Sequence, residues 1–584
     1  MHCCSKMSPS ARAALAPLPI GAVLLVVSLA LTIASFFVGS ASLSAYATIS
    51  FGLVLVRFTS ASVWPSAGTA HTTAGFWGAL MCCELPLHVG AFVSFFFFAL
   101  SSPTSAPAWF GPLWSALGVA ALVPLVRATW ALMGVRAALK RVAAEAGVVP
   151  NALNDGASLA RALACVTFPF FSWGILAHGV RTTKGAVYGS EPAVLRPVAG
   201  PTDRLTKLRV DVMLPAAGAP EPTRAFLYFH GGAWVTGSRL LAAQPLLAAL
   251  AARGWLVATA DYRHAPRVDV FAQARDVRSC ARWLKEHYPS AAKCLVIAGE
   301  SAGGHLSLLA ALSGDECGGE SALSSRATGP DSGAGAVAAT ATSSVGQAPI
   351  CEGVVALCAV TDFTDGAGSY ASRMGGADHS TARFLERFVL RQRAADATGR
   401  ALSGVFPFIR ASPLWRVSGA GFPAAARAAG LCIDPSAPHG DLSPEEIVEQ
   451  NSRARMLVAG LANCIKPRAK EASTLVSARV FYGAMPAASP ADIAKAIGGD
   501  FCSDRRVPPI ALIHGENDTV VPAADSIRFF RALAERRSRE AASLTPRGKD
   551  ALAVLPFTAH ASIYALSART LAVADFVCDW ADAL

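Results

Sequence analysis

The chain has 584 residues, 53% of them hydrophobic and only 16% charged, with a mean hydropathy of +0.41. An ordinary soluble domain carries about a quarter charged residues, so this composition is displaced toward membrane proteins; it excludes a chain disordered throughout, and 49 Gly without a triplet repeat exclude collagen. The net charge of +11 comes with no nucleic-acid recognition motif, and its basic residues flank apolar stretches, as at an anionic membrane surface.

In chain order, residues 1–15 read as a cytoplasmic segment containing Lys6 and Arg12. Residues 16–145 read as a multi-pass α-helical region of about four spans: Leu18 to Val38, which carries no charge over about the 20 residues a bilayer core needs; Leu43 to Val56; Leu85 to Leu100; and Trp109 to Val126, continuing toward Val135. Arg127, Arg136, Lys140 and Arg141 follow the last span, which puts that side in the cytoplasm. Glu84 and His88 lie at a span edge, where an ionisable residue either serves a function or reaches the interface. Cys3-Cys4 and Cys82-Cys83 are either acylation sites or free thiols. No C-x-x-C occurs, so zinc and thioredoxin-like readings have no support. Residues 146–184 form a connector whose apolar stretch, 162–180, lies on, re-enters or crosses the membrane.

From residue 185 to 584 strand and helix signals alternate, which implies an α/β domain with a mostly parallel sheet covered on both faces. Leu208 to Leu214 reads as an edge strand, and Ala225 to Phe229 as a short buried one. His230-Gly231-Gly232-Ala233-Trp234 follows directly, and its glycines let the backbone approach a substrate carbonyl. The amides of Gly231, Gly232 and Ala233 are thus candidate donors to an oxyanion, with His230 orienting the loop. A helix over Leu240 to Ala252, a strand over Trp255 to Ala260, a helix over Phe271 to Tyr288 and a strand over Cys294 to Ala298 come next.

Gly299-Glu300-Ser301-Ala302-Gly303 then matches G-x-S-x-G between that buried strand and an apolar helix, Gly303 to Leu312. This is the setting of a nucleophile elbow, with Ser301 as nucleophile and the Ala302 amide at the positive helix end as a further oxyanion donor. Residues 313–348 are rich in Gly, Ser, Ala and Thr and read as a disordered insertion. A second insertion, 417–506, is lid-like or padding. A strand over Ile510 to Ile513 precedes His514-Gly515-Glu516-Asn517-Asp518, a helix spans Ala523 to Arg536, and a strand over Leu552 to Leu555 precedes His560 and a final helix from about Ser562. A serine needs a base, and the base an orienting carboxylate, in the chain order Ser, acid, His. That order selects Ser301, Asp518 and His560, with Glu516 as the substitute acid and His514 as a turn residue. Asn517-Asp518-Thr519 forms an incidental glycosylation sequon.

At these residues the chain resembles the α/β-hydrolase fold, and within it the carboxylesterase and hormone-sensitive-lipase-like group. Asp261-Tyr262-Arg263 with Ala265-Pro266 is similar to that group's D-Y-R-x-x-P segment. A narrower likeness is to membrane-bound isoprenylcysteine methylesterases, carried by the apolar N-terminal third, the aromatic stretch Phe168 to Trp173, Val187-Tyr188-Gly189, the H-G-G-A-W loop and Ser412-Pro413. The elbow G-E-S-A-G-G is closer to general esterases, and Ala561-Ser562 stands after His560 where Thr-Asp is expected. The resemblance implies a serine esterase in the endoplasmic reticulum or Golgi membrane. It would need no metal or organic cofactor, bind no nucleic acid and take an ester, lipidated or amphiphilic, such as a prenylcysteine methyl ester. A general membrane esterase, lipase or deacetylase of short acyl groups and a non-catalytic membrane scaffold are the alternatives.

Overall fold

A computed structural model describes residues 41–63, 73–99, 107–155, 178–192, 205–240, 243–265, 268–313, 349–362, 412–418, 507–518, 520–521, 523–541, 549–560 and 562–584. The run Leu18 to Val38, most of the 162–180 stretch and nearly all of both insertions lie outside these residues. The chain divides into two compact units, Met1–Ala131 and Leu132–Leu584.

The first unit is helical, with α1 (Ala41–Val63), α2 (Thr73–Glu84), α3 (Pro86–Ala99) and the start of α4 (Phe110–Glu145). Pro86 disfavours helical geometry in the residue before it, and α2 and α3 meet there at a bend of 102°. Glu84, one of the two ionisable residues expected at a span edge, is buried beside this bend. The indole of Trp114 donates to the Phe97 carbonyl (2.8 Å) and lies tilted against the Phe97 ring, centroids 4.3 Å apart. Among the described residues one helix, α4, is long and apolar enough to cross a membrane, or two if the bent α2–α3 pair forms one broken span. Of the about four spans expected from hydropathy, Leu18 to Val38 lies outside the described residues, and the other three give one or two such helices. At 1.5 Å per residue α3 alone reaches only roughly 21 Å against a core of about 30 Å.

The second unit is built on an eight-stranded sheet of order β1-β2-β4-β3-β5-β6-β7-β8. The strands are β1 (Arg181–Pro192), β2 (Leu205–Leu214), β3 (Arg224–Phe229), β4 (Leu256–Ala260), β5 (Cys294–Glu300), β6 (Gly353–Leu357), β7 (Ile510–Gly515) and β8 (Ala551–Leu555). β2 runs antiparallel to both β1 and β4, and every other pairing is parallel. This mainly parallel sheet between helical layers is the α/β-hydrolase architecture anticipated from the elbow and its flanking elements. The run Leu208 to Leu214 is not the edge strand expected: β1 covers it, and the alternation reflects a strand only partly buried. β6, a short apolar strand, gives no signal of its own in the sequence reading.

Side chains leave successive strand residues on opposite faces. Ala225, Leu227 and Phe229 of β3 therefore join one core with Val277, Leu306 and Leu309. Phe226 and Tyr228 enter the other, with Leu246, Leu250, Phe576 and Trp580. The helices supplying these layers are α6 (Gln244–Ala251), α7 (Val270–His287), α8 (Ala302–Leu312), α10 (Ala523–Ala541) and α11 (Ala568–Asp582), beside the short α5 (Asn151–Asn154) and α9 (Pro413–Ser418). α7 starts where the Asp269 side chain accepts from the Ala272 amide (2.7 Å), and α11 where Ser567 accepts from Thr570 (3.2 Å).

The last turns of α4 belong to this second unit, with Val135, Leu139 and Ala143 in the α11 core. Asp575 of α11 pairs there with Arg136 (2.5 Å) and with Nε of Arg253 (2.8 Å). One turn on, Asp579 accepts from the first amides of α5, at Ala152 (2.6 Å) and Leu153 (2.9 Å). Asp575 is almost fully buried, so replacing it by alanine strands two partly buried guanidinium groups. Asp575→Ala is expected to lower unfolding stability by about 3 kcal/mol, measured by denaturant titration of the detergent-solubilised chain beside wild type.

Candidate active site

Parallel strands end on one edge of a sheet, and here five neighbours deliver the residues of interest to that edge. β3 leads into His230, β5 into Ser301, β6 into Cys358, β7 into Asp518 and β8 into His560. Such carboxyl edges are where open α/β sheets bind ligands. Among the described residues, the non-glycine positions with positive φ are Ala233, Trp234, Ser301, Cys358 and Phe557. All five lie in the turns that leave these same strands.

Ser301 has φ 51° and ψ −118° between β5 and α8. This strained conformation needs bare backbone around it. A Cβ on Gly303 would sit 2.1 Å from the Phe229 carbonyl oxygen, and one on Gly299 would sit 2.4 Å from the Gly303 carbonyl carbon. The Ser301 amide donates to Leu357 O (2.9 Å) and its carbonyl accepts from His305 (2.9 Å), which pins the turn against β6 and starts the helix.

The loop after β3 is tied to the elbow twice. Glu300, fully buried, accepts from the Gly231 amide (2.8 Å) and from the hydroxyls of Tyr228 and Tyr564. The Trp234 indole donates to His305 Nδ1 on α8 (3.2 Å). Burial pushes the Glu300 carboxyl up, and the three donors work against that rise. His230 Nδ1–H donates to Gly231 O (2.7 Å) and its ring stacks on Tyr262. Burial pulls its pKa down to about 4 although the Gly231 bond opposes the fall, so it is neutral at physiological pH. Since the Gly231 amide is engaged by Glu300, the amides of Gly232, Ala233 and Ala302 are the expected donors whose partners are not fixed in this way.

Asp518 and His560 are in direct contact, His560 Nδ1–H donating to Asp518 Oδ2 over 2.7 Å. The other carboxylate oxygen accepts from the amides of Val520 and Val521, each at 2.8 Å. His514 is not a turn residue: it is buried on β7, and its Nε2 bonds Val521 O (2.8 Å) and lies 3.3 Å from Asp518 Oδ2. Its Nδ1 meets Ser526 Oγ at 2.7 Å. Burial would raise the Asp518 pKa, but the positive character of His560 and bonds from both histidines hold it well below the usual carboxylate range. Burial would likewise lower His560, and the Asp518 carboxylate outweighs this and raises it well above the ordinary histidine value. Glu516, expected as the substitute acid, is exposed and accepts only a long bond from Phe557 (3.3 Å) among the contacts seen, so Asp518 is the carboxylate beside His560.

Three participants carry no sequence signal of their own. Glu300 occupies the variable position of G-x-S-x-G, Tyr564 follows His560 in a short 3₁₀ turn, and Cys358 follows the strand that was not anticipated. The Cys358 thiol lies close enough to His560 to interact with it.

A family model described as BD-FAE matches residues 210–386. The chain is 33% identical to the esterase LipC of Mycobacterium tuberculosis over 133 residues, which is 22% of this chain and 30% of that protein. It is 44% identical to the probable carboxylic ester hydrolase LipM of the same organism over 85 residues, 14% of this chain and 20% of LipM. The matched segments thus span under a third of these relatives' lengths. Among solved structures, carboxyl esterase 2 from Tuber melanosporum aligns with TM-score 0.35 and 14% identity, over 70% of this chain and 87% of that one. The sheet of the second unit has the α/β-hydrolase order, and segments of it are similar to carboxylic ester hydrolases.

The His560–Asp518 geometry sets a sign for protonation. The raised histidine contributes stability that is full below about pH 6.5 and is lost as pH rises through its folded value. The depressed Asp518 contributes stability present above about pH 4 and lost as pH falls through its own folded value. In Asp518→Asn the carboxylate attraction is gone, and burial is opposed by Cys358 alone among the influences seen. The His560 imidazole, followed by NMR of isotope-labelled histidine, should titrate above pH 6.5 in the wild type and at lower pH in the variant.

Proposed function

We propose that this chain is a serine hydrolase of carboxylic esters. The observation that carries the reading is the left-handed Ser301, held at a strand-to-helix turn on the same sheet edge as the buried His560–Asp518 pair. Ser301 Oγ attacks the ester carbonyl while His560 takes its proton, and Asp518 keeps the imidazole oriented and stabilises its cationic form. The amides of Gly232, Ala233 and Ala302 hold the oxyanion, helped by the N-terminus of α8. The protonated His560 gives its proton to the departing alcohol. Water, deprotonated by the same imidazole, then releases the acyl group from Ser301.

The substrate we infer is amphiphilic and reaches the site from a membrane, with a prenylcysteine methyl ester as the specific candidate and a short-chain acyl ester as the second. Support comes from the exposed apolar residues of α4, where Val119, Val123, Val126, Trp130 and Met133 recur at helical spacing, and from Phe92, Phe95 and Phe98 of α3. Arg136, Lys140 and Arg141 follow Trp130, in the order of an aromatic and basic membrane boundary. The endoplasmic reticulum or Golgi membrane remains part of this proposal.

Detergent-solubilised wild type should hydrolyse a farnesylcysteine methyl ester or a short acyl ester, with the rate in Ser301→Ala reduced on the order of 10⁶-fold. Labelling by a fluorophosphonate should disappear in the same variant. A folded wild type that neither hydrolyses any ester in the panel nor takes the label would overturn the catalytic reading in favour of a scaffold. For membrane attachment, the chain should stay in the pellet after alkaline carbonate extraction; release into the supernatant would remove that part of the proposal.

A further inference from the structure

One chemistry-bearing group at the sheet edge has no part in ester hydrolysis: the thiol of Cys358. β6 brings it between the strand of Ser301 and the strand of Asp518, since Glu300 pairs with Leu357 and Leu357 with Ile513. Its amide donates to Ile513 O (2.8 Å), and its φ of 40° is one that few side-chain-bearing residues adopt, so the backbone is held there by its neighbours. Cys358, His560 and Asp518 each offer a ligand atom, and these three atoms all lie within 4.8 Å of one another. Donors in a tetrahedral zinc shell, with bonds of about 2.0–2.3 Å, stand roughly 3.5 Å apart, a spacing that small rotations about the χ angles can reach. A cavity lined in part by Cys358, Thr558 and Ala559 adjoins the cluster.

We infer that the Cys358 sulfur and His560 Nε2 form a site for one soft divalent cation of the Zn²⁺ or Cd²⁺ class, with Asp518 holding the imidazole from behind and solvent completing the shell, and that its occupancy switches the hydrolase off. Sulfur and imidazole together select soft and borderline ions over Mg²⁺ or Ca²⁺, which prefer oxygen. Asp518 already holds Nδ1–H of His560, the carboxylate–histidine arrangement that orients an imidazole toward a metal. On binding, the Cys358 S–H proton passes to solvent, and the metal takes the imidazole lone pair that would otherwise accept the Ser301 proton. The inhibition rests on the role proposed for His560 above; the binding itself does not.

Two readouts separate these parts. Zn²⁺ titrated into an ester-hydrolysis assay should inhibit the full-length wild type at least tenfold more strongly than Cys358→Ala or Cys358→Ser, each compared with its own metal-free rate, while Mg²⁺ leaves all three unaffected. Independently, Cd²⁺ added to Ser301→Ala should give more cadmium–thiolate ultraviolet absorbance than it gives with Ser301→Ala/Cys358→Ser, by the increment of one thiolate. Equal absorbance in those two would overturn the site. Full absorbance difference with equal Zn²⁺ inhibition of wild type and variants would overturn the switch alone. A wild type without esterase activity would count against the reading of Ser301, and the absorbance pair would still decide the metal site.

Discussion

The parallel register of β3, β5, β6, β7 and β8 is the constraint on which the site depends. Parallel neighbours must each end on the same edge, so the groups carried by the turns beyond them gather there. The loop after β3, the elbow, Cys358, Asp518 and His560 are consecutive stations along that edge. The strain at Ser301 and Ala233 is tolerated because helices on both sides fix where each turn can go. The glycine backbones at Gly299 and Gly303 are what let β5, α8 and the end of β3 approach closely enough for the turn to close.

Electrostatics then sort three buried groups by the donors each one finds. Asp518 has backbone amides on one oxygen and two histidines on the other, enough to keep it ionised without water. Glu300 has two phenols and one amide and ties the loop after β3 to the elbow. His230 finds only its neighbour's carbonyl among the bonds seen and stays neutral. A histidine beside a carboxylate and one beside a carbonyl thus acquire opposite tendencies within the same sheet edge.

Much of this was legible locally. The buried strand Ala225 to Phe229, the amphipathic helix near Val270–His287 and the elbow all follow from periodicity and from glycine placement, which depend on near neighbours alone. β1 was not, because Arg181-Thr182-Thr183-Lys184 has the polarity of a loop and becomes a strand only by pairing with β2. β6 was not, because five apolar residues between two long insertions define no period, and the strand exists through ladders to β5 and β7. Among the described residues the expected spans reduce to one or two, because hydropathy reports apolar composition, whereas the bend at Pro86 and the length of α3 are matters of geometry.

By itself the sequence determined the fold class, the strand–turn–helix around Ser301 and the chain order that puts the candidate acid on the Glu516–Asp518 loop ahead of His560, since each is a property of residue type and spacing. Only the tertiary structure decided that Asp518 rather than Glu516 meets His560, that Glu300 takes the Gly231 amide, and that Cys358 stands beside His560. Those outcomes depend on sheet register between segments far apart in the chain, and a register of period two turns on long-range pairing that no local pattern contains.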